Sequence, residues 1–341
     1  MDILTQGLLG GVLAQAVCRD EEKKAASVAG LAAGLLADAD VLIRSASDPL
    51  LSIEYHRHFS HALIFIPVGA ALATLLLWPL LRKRCALRRL YLFCLAGYSA
   101  SGLLDACTSY GTLLLWPFSS ERIAFNIISI IDPVFTLALV LSFVTGLWLR
   151  QRSLALCGVS FCLLYLGFGV LQQQRASLLA DHLIEERGHQ VVAGLVKPTL
   201  GNLLLWRSVY RDDKRIYVDA IRMPLFSEAQ IYHGDSLPIF SFEKDMYYLE
   251  SETTLYRDIE RFIRFSDGFV ANDPTQYNVI GDIRYSMLPI STKPLWGIRI
   301  DSRYPDEHVS YEFFREDAQE VRPVFLALLF GKNNIREMLV D

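Results

Sequence analysis

Residues 62–81 read ALIFIPVGAALATLLLWPLL, a run of twenty residues without a charged side chain. A helix of that length spans a bilayer, because each residue adds about 1.5 Å and the hydrocarbon core is about 30 Å thick. Directly before the run stands YHRHFSH at 55–61, which holds three of the seven histidines of the chain. The stretch therefore predicts a membrane protein with a polar cluster at the end of a membrane-spanning helix.

The composition shows that this apolar character is confined to the first half of the chain. The chain has 341 residues, 52% of them hydrophobic, and a mean hydropathy of +0.29, too apolar for an ordinary soluble enzyme. Residues 1–171 carry 13 Lys/Arg against 11 Asp/Glu, and residues 172–341 carry 20 against 26. The mildly acidic second half has no basic face, so no nucleic-acid partner is expected. We predict a transmembrane helical domain over 1–171 and an extracytoplasmic α+β domain over 172–341.

Six apolar segments predict that the first domain is a polytopic α-helical membrane domain of about six transmembrane helices. The basic residues predict its orientation, because Lys and Arg accumulate on the cytoplasmic side. Ten of them fall in the loops at 19–24, 82–89 and 150–152, and three fall in the opposite loops. The amino terminus and the second domain are therefore expected outside the cytoplasm. The six segments are 2–18, 25–43, 62–81, 90–108, 133–149 and 154–171.

The second half has the patterns of a soluble mixed fold. Residues 203–210 and 215–222 flank a DD turn and predict a strand–turn–strand pair. Residues 254–265 place their apolar side chains on one helical face. All six cysteines lie in the first half, and a soluble domain without cysteine suits an oxidising compartment. Further predictions are a polar helix over 172–190, strands over 268–271, 277–285, 295–300 and 308–313, and an apolar segment over 322–330.

The histidines and the nearby Asp38 and Asp40 are candidate metal ligands. Imidazoles and carboxylates are the groups that bind zinc or manganese in proteins. Helical spacing pairs His58 with His61, whereas His56 meets His61 only if a turn intervenes. The alternative is a hydrated loop whose histidines bind nothing, beside acids that cap a helix end. The spacing does not choose between these arrangements.

Two further aspartates stand at the ends of predicted membrane helices. Asp105 lies inside SGLLDACTSYG at 101–111, and a carboxylate within a membrane helix needs a partner. Asp132 precedes Pro133, which is typical of a helix start, so its role is either a cap or a ligand. The chain contains no GxSxG, HExxH or Walker sequence, so a serine nucleophile has no support.

Several short motifs together resemble the YdjM-like family of inner-membrane proteins. The chemistry that this resemblance implies is metal-dependent hydrolysis, with distant similarity to zinc-dependent phospholipase C and P1-type nucleases. The family is also labelled LexA-binding, and nothing in these residues supports such contact. The motifs are DxxTQxxxG at 2–10, DxD at 38–40, HRxFSH at 56–61, LLDACTSYG at 103–111, WPFS at 116–119 and IDP at 131–133, with GNxxxWR at 201–207 and GDxRYS at 281–286 in the second half.

The resemblance implies a divalent metal, Zn²⁺ or alternatively Mn²⁺, that activates water for attack on an ester. The expected substrate is a phosphoester or another ester, including that of a lipid, at the outer face of the inner membrane. Arg57 or Arg122 is expected to steady the developing negative charge, and Asp105 serves both catalysis and metal binding. The implied metal ligands are Asp38, Asp40, His56, His61 and Asp105.

The chain departs from the expected family pattern at three positions. Ala37 stands where a proline is expected, His58 where a glycine is expected, and Ser101 where a histidine is expected four residues before Asp105. One hypothesis is that His58 turns inward and replaces the missing histidine. The other is that the cluster is structural or degenerate, in a non-catalytic membrane module whose outer domain binds a partner.

Overall fold

The structure is a computed structural model that describes residues 1–332. Helices dominate up to residue 187, and two antiparallel sheets with three helices follow. By their internal contacts the residues form two compact units. The first unit holds Met1–Ile43, Tyr55–Leu171 and Leu200–Leu203, and the second holds Arg44–Glu54, Gln172–Thr199 and the chain from Leu204 onward.

All six segments predicted to cross the membrane are helical. Four helical stretches of the described chain are long and apolar enough to span a bilayer: Asp20–Leu42, Leu63–Leu81, Leu87–Cys107 and Arg152–Arg187. The other two are apolar helices of 15 and 17 residues. The helices are α1 Ile3–Val17, α2 Lys23–Leu36, the short α3 Leu51–Tyr55, α4 Ile66–Leu81, α5 Leu87–Cys107, α6 Pro133–Leu149 and α7 Arg152–Arg187.

Helices α1, α2 and α5 pack closely because glycines face one another where they meet. A Cβ on Gly97 of α5 would stand 2.3 Å from the carbonyl oxygen of Gly30 in α2, far inside contact distance. A Cβ on Gly10 of α1 would stand 2.5 Å from the same oxygen. Small residues of this kind let membrane helices approach backbone to backbone. The close packing sets α2, which leads to Asp38 and Asp40, beside α5, which carries Asp105.

Helix α7 differs from the prediction of two separate helices at 154–171 and 172–190. It runs for 36 residues without interruption and ends before Gly188, whose φ is +65°. No proline occurs between 152 and 187, and the polar residues after Leu171 are mostly good helix formers, so the helix continues. Its apolar part lies in the first unit and its polar part in the second.

The first sheet of the second unit has the strand order β1–β2–β3–β4, all antiparallel. The predicted strand pair is confirmed as β2 and β3, in which Val209 lies opposite Val218. The outer strands β1 and β4 were not predicted. The strands are β1 Ala193–Pro198, β2 Leu205–Arg211, β3 Arg215–Arg222 and β4 Gln230–Pro238.

The second sheet has the antiparallel order β5–β6–β7–β8 and contains the four further strands that were predicted. The predicted helix over 254–265 is confirmed as α9, and its apolar face packs on this sheet through Ile259 and Phe262. The elements are β5 Val270–Asn272, β6 Val279–Asp282, β7 Trp296–Arg299, β8 Ser310–Phe313, α8 Phe242–Asp245, α9 Thr254–Phe265 and α10 Ala318–Phe330.

Candidate metal centre

Three separate segments of the first unit bring carboxylates and an imidazole together. Asp38 and Asp40 lie in the helical turn Ala37–Leu42 that continues from α2. His61 ends a short turn that begins at Phe59, and Asp105 lies in the last turn of α5. Each ligand type therefore comes from the end of a helix or from a tight turn, where the side chains converge without interrupting a membrane helix.

Asp38, His61 and Asp105 form a group that could hold one metal ion. One ligand atom from each residue lies within 4.8 Å of the others. His61 Nε2 is 3.2 Å from Asp38 Oδ1 and 3.1 Å from Asp105 Oδ2. His61 and Asp105 are buried, whereas the side chain of Asp38 is 16% exposed. The group is therefore buried at His61 and Asp105, and its exposed part is the side chain of Asp38.

Asp40 and His56 lie on the other side of the His61 ring. His61 Nδ1 is 3.3 Å from Asp40 Oδ2 and 3.0 Å from the hydroxyl of Ser60. Asp40 Oδ1 is 3.1 Å from His56 Nδ1. In metal sites a ligating histidine commonly bonds a carboxylate through its second nitrogen, which fixes the ring and its tautomer. Asp40 lies where such an orienting carboxylate is found, and its other oxygen contacts His56.

Arg57 joins the two halves of the cluster through its backbone and its side chain. Its φ of +56° is an uncommon conformation for a non-glycine residue. That conformation directs its amide to Asp40 Oδ2 at 2.7 Å, while its guanidinium Nη2 is 3.2 Å from Asp105 Oδ1. The guanidinium also donates to Thr108 and lies over the ring of Tyr110. The predicted catalytic arginine thus contacts both carboxylates directly.

Three buried polar atoms around the group have no hydrogen-bond partner. They are Asp38 Oδ2, Gln6 Oε1 and Arg57 Nε. Gln6 is fully buried and donates from Nε2 to Asp105 Oδ2 at 2.9 Å, the oxygen that also faces His61. Buried polar atoms without partners cost free energy, so two orphaned acceptors beside a ligand group fit a cation. Gln6 lies in the DxxTQ motif, but the sequence alone did not single it out as a site residue.

The protonation of His61 follows from these neighbours. Burial alone disfavours its charged form, but hydrogen bonds to Asp105 and the two other carboxylates outweigh that effect and raise its pKa to about 10. At neutral pH the ring is therefore an imidazolium whenever no other cation occupies its place. A metal has to displace that proton to bind at Nε2.

The positions where the chain departs from the family pattern have other partners. Ser101 is fully buried, and its hydroxyl donates to the carbonyl of Gly34 at 2.6 Å, across the contact between α5 and α2. His58 accepts the amide of Phe59 at its Nδ1, and its ring packs on Trp116. Neither residue belongs to the ligand groups of residues 1–332.

Asp132 has the contacts of a helix cap. Its Oδ1 accepts the amides of Val134 and Phe135 at the start of α6, each at 3.1 Å. Its Oδ2 accepts the hydroxyl of Tyr165 at 2.9 Å. Both carboxylate oxygens of Asp132 therefore have hydrogen-bond partners. A role as the cap of α6 explains why this residue is buried.

A second group of potential ligands, Asp48, Asp258 and His308, lies in the second unit. The guanidinium of Arg261 already stands there, 3.0 Å from Asp48 Oδ2 and 2.9 Å from Asp258 Oδ1. It also lies 2.8 Å from Glu54 Oε1. A bidentate arginine neutralises these acids, so the group is explained as an ion-pair cluster that fastens the segment of Asp48 and Glu54 to α9.

The comparisons with known proteins agree with the motifs. A family model described as YdjM inner membrane protein matches residues 1–176, just over half of the chain. The matched part contains every residue of the candidate metal centre. No curated protein and no solved structure matches the chain.

Proposed function

The chain belongs to the YdjM inner membrane protein family, and on this premise we propose that it is a membrane-bound, metal-dependent hydrolase of phosphoesters or other esters. The observation that carries the proposal is the convergence of Asp38, His61 and Asp105 from three segments, with the buried Oδ2 of Asp38 left without a partner. A purely structural cluster has no need for that free acceptor. We take these three residues as the ligands and Asp40 as the residue that orients His61.

The donor set suits Zn²⁺ or Mn²⁺, because it combines one imidazole with carboxylate oxygens and contains no thiolate. When bound, such an ion supplies a Lewis acid that polarises an ester oxygen and activates water. Asp40 holds the His61 ring from its far side, so that Nε2 keeps pointing at the other two ligands. Gln6 holds Asp105 in the same way through Nε2.

Arg57 is the group placed to stabilise negative charge. Its Nε has no partner in the structure, whereas its Nη1 is held by Thr108 and its Nη2 by Asp105. A positioned guanidinium with one unused donor can bind a phosphoryl or carboxyl oxygen whose charge grows during attack. Arg122 has a structural role instead, because its guanidinium donates hydrogen bonds to the carbonyls of His56 and Gly111.

We place the reaction at the outer face of the inner membrane. The support is the ten-to-three division of basic residues between the two sets of loops of the first half. That orientation brings the 44–61 loop, the carboxyl end of α5 and the domain after 171 to the outer side.

Hydrolysis by detergent-purified protein tests the proposal. We expect slow cleavage of bis(4-nitrophenyl) phosphate or of 4-nitrophenyl butyrate that stops on chelation and returns with Zn²⁺ or Mn²⁺. His61→Ala should lower the rate about a hundredfold or more, since it removes a ligand rather than an outer contact. His182→Ala is the matched control, because that histidine lies on α7 with its side chain 73% exposed. Equal rates in both variants and the parent would contradict the proposal.

A second candidate function is a non-catalytic membrane module, and one observation favours it. Three positive groups already stand among the carboxylates, because His61 is protonated and both Arg57 and the amino terminus of Met1 pair with Asp105. In addition, Ser101 replaces an expected histidine. The positive and negative charges of this network nearly balance without a metal, so the cluster does not need one for charge neutrality. This candidate predicts that His61→Ala destabilises the protein, that chelation changes nothing, and that no ester is cleaved.

A further inference from the structure

An apolar groove of about 350 Å³ opens beside the candidate metal centre. Its volume is within the range of small-molecule sites in proteins. One end is formed by Asp40 and Ser60, and the walls run along α4 past Leu72, Leu75 and Leu76. All lining residues belong to the first unit. The groove therefore connects the polar cluster with the side of a candidate membrane span.

The walls of the groove suit a hydrocarbon chain. The leucines are spaced as one face of α4 and are between 47% and 67% exposed, on the span Leu63–Leu81. In a bilayer, side chains exposed on a spanning helix face lipid chains. Besides Asp40 and Ser60, the polar residue that lines the groove is Tyr98, and its hydroxyl is already used in a hydrogen bond to the carbonyl of Ser60 at 2.7 Å.

The polar end of the groove lies on the Nδ1 side of His61. The hydroxyl of Ser60 is 3.1 Å from Asp40 Oδ2 and 3.0 Å from His61 Nδ1. An amphiphile whose chain lies along α4 therefore presents its polar group at Asp40, next to His61. A chain and a head group separated by an ester linkage match this change from apolar to polar walls.

We propose that the groove binds one acyl chain of a glycerophospholipid, so that the polar head of this lipid lies at Asp40 and Ser60, on the Nδ1 side of His61. Phospholipid is the occupant because the groove opens on a membrane-spanning face, where phospholipid chains are the surrounding medium and need no separate route of entry.

Photocrosslinking in vesicles tests the proposal. The full-length protein is reconstituted in phosphatidylethanolamine and phosphatidylglycerol vesicles that contain a phosphatidylglycerol with a diazirine in one acyl chain. Illumination followed by peptide mass spectrometry should label the groove walls at 36–43, 59–65 and 72–76 in excess over other exposed apolar positions. Leu72→Trp should reduce this labelling about tenfold, since a bulky ring overpacks the site.

Leu80→Trp is the matched control, because Leu80 lies on α4 one turn beyond the groove and is 75% exposed. It should leave the labelling of the groove unchanged. Even labelling around α4, or equal labelling in the two tryptophan variants, would overturn the proposal and leave only annular lipid. Displacement of the probe by a polyprenyl phosphate but not by excess phospholipid would overturn the acyl chain as occupant.

Metal content measured on the same samples keeps this proposal separate from the proposed function. Groove labelling in a protein that binds no metal supports the lipid site and contradicts the hydrolase. Metal binding through His61 without groove labelling supports the metal centre and overturns the lipid site.

Discussion

His61 uses its two ring nitrogens on two different sets of carboxylates. Nε2 faces Asp38 and Asp105, and Nδ1 faces Asp40 and the hydroxyl of Ser60. In the proposed function, this arrangement separates a metal-binding side from an orienting side within one imidazole. The cluster therefore depends on His61 more than on the other two histidines of the loop, although the sequence presents the three with equal weight.

His58 provides the first prediction at the scale of single residues. Because its Nδ1 accepts the amide of Phe59 and its ring packs on Trp116, we expect His58→Gly to retain bound metal. The measurement is the metal content of purified protein by mass spectrometry, with the parent as reference. Loss of metal in this variant, and its recovery on adding Ser101→His, would instead establish His58 as a replacement ligand.

Lys197 provides the second prediction, in the second unit. It is buried on β1 directly opposite Arg207 on β2, with Nζ 3.3 Å from the ring centre of Tyr285. Burial, reinforced by the charge of Arg207, lowers the pKa of Lys197 well below its usual value. Folding therefore disfavours the charged form of Lys197, so this lysine destabilises the fold at pH values where the unfolded chain keeps its proton.

We therefore expect Lys197→Met to raise the melting temperature by about 3 °C at pH 7, the shift typical of roughly 1 kcal/mol. The gain should shrink as the pH approaches the ordinary lysine pKa of about 10.4, where the unfolded chain also loses its proton. Lys214→Met, at an exposed position, is the control and should change the midpoint at neither pH. A lower midpoint for Lys197→Met at pH 7 would show that the amine stabilises the fold.

The sequence predicted which side chains lie together in the candidate metal centre but not how they pair. Asp38, Asp40, His56, His61 and Asp105 do lie together, because each stands at a helix end or a turn on one side of the helices. The pairing of His56 with Asp40 depends on the left-handed conformation of Arg57, which no spacing rule contains. Gln6 was missed because glutamine is rarely a ligand, and only its unpaired buried oxygen singles it out.

At the scale of elements, helices and central strands were predictable and the outer strands were not. The strands β2 and β3 flank a short polar turn, whereas β4 contains Gly234, Asp235 and Pro238, types that are depleted in strands. Strand β1 includes the buried Lys197, which masks its apolar pattern. Both strands are specified by pairing with their neighbours in the sheet, which is a tertiary effect.

The glycine contact between α2 and α5 gives a prediction at the scale of elements. Gly97→Ala places a methyl group against the carbonyl of Gly30 and has to push the two helices apart. Because Asp38 follows α2 and Asp105 ends α5, we expect the variant to lose metal affinity about tenfold as well as stability. Binding of Zn²⁺ and the melting temperature are the measurements.

Gly167→Ala on α7 is the control, because a Cβ there meets no atom within 4 Å. It should match the parent in both measurements. Unchanged metal affinity in Gly97→Ala would show that the spacing of the two helices does not hold the ligands in place.

At the scale of the whole molecule, the chain combines a membrane unit with a unit of two antiparallel sheets. The segment Arg44–Glu54, between Asp40 and His56 in the sequence, belongs to the second unit, where Arg261 binds Asp48 and Glu54. The connection between the two ligand-bearing stretches therefore depends on the fold of the second unit. Length and composition predicted two parts, but not that the second would include this loop.

Orientation is the prediction at this scale. A reporter that is active only outside the cytoplasm, fused after Leu171, should be active, because the basic residues favour the opposite loops as cytoplasmic. A fusion after Arg84, in one of those loops, should be inactive. Activity at Arg84 and not at Leu171 would contradict the proposed location of the metal centre.

Titration of Zn²⁺ into metal-free, detergent-purified protein tests the central claim most directly. We predict one ion bound per chain and, since His61 with its pKa of about 10 must lose a proton, an apparent affinity that rises about tenfold per pH unit between pH 6 and pH 8. His61→Ala should bind at least about tenfold more weakly, while His182→Ala should match the parent. No saturable binding, or binding with the same affinity in His61→Ala, would contradict the account.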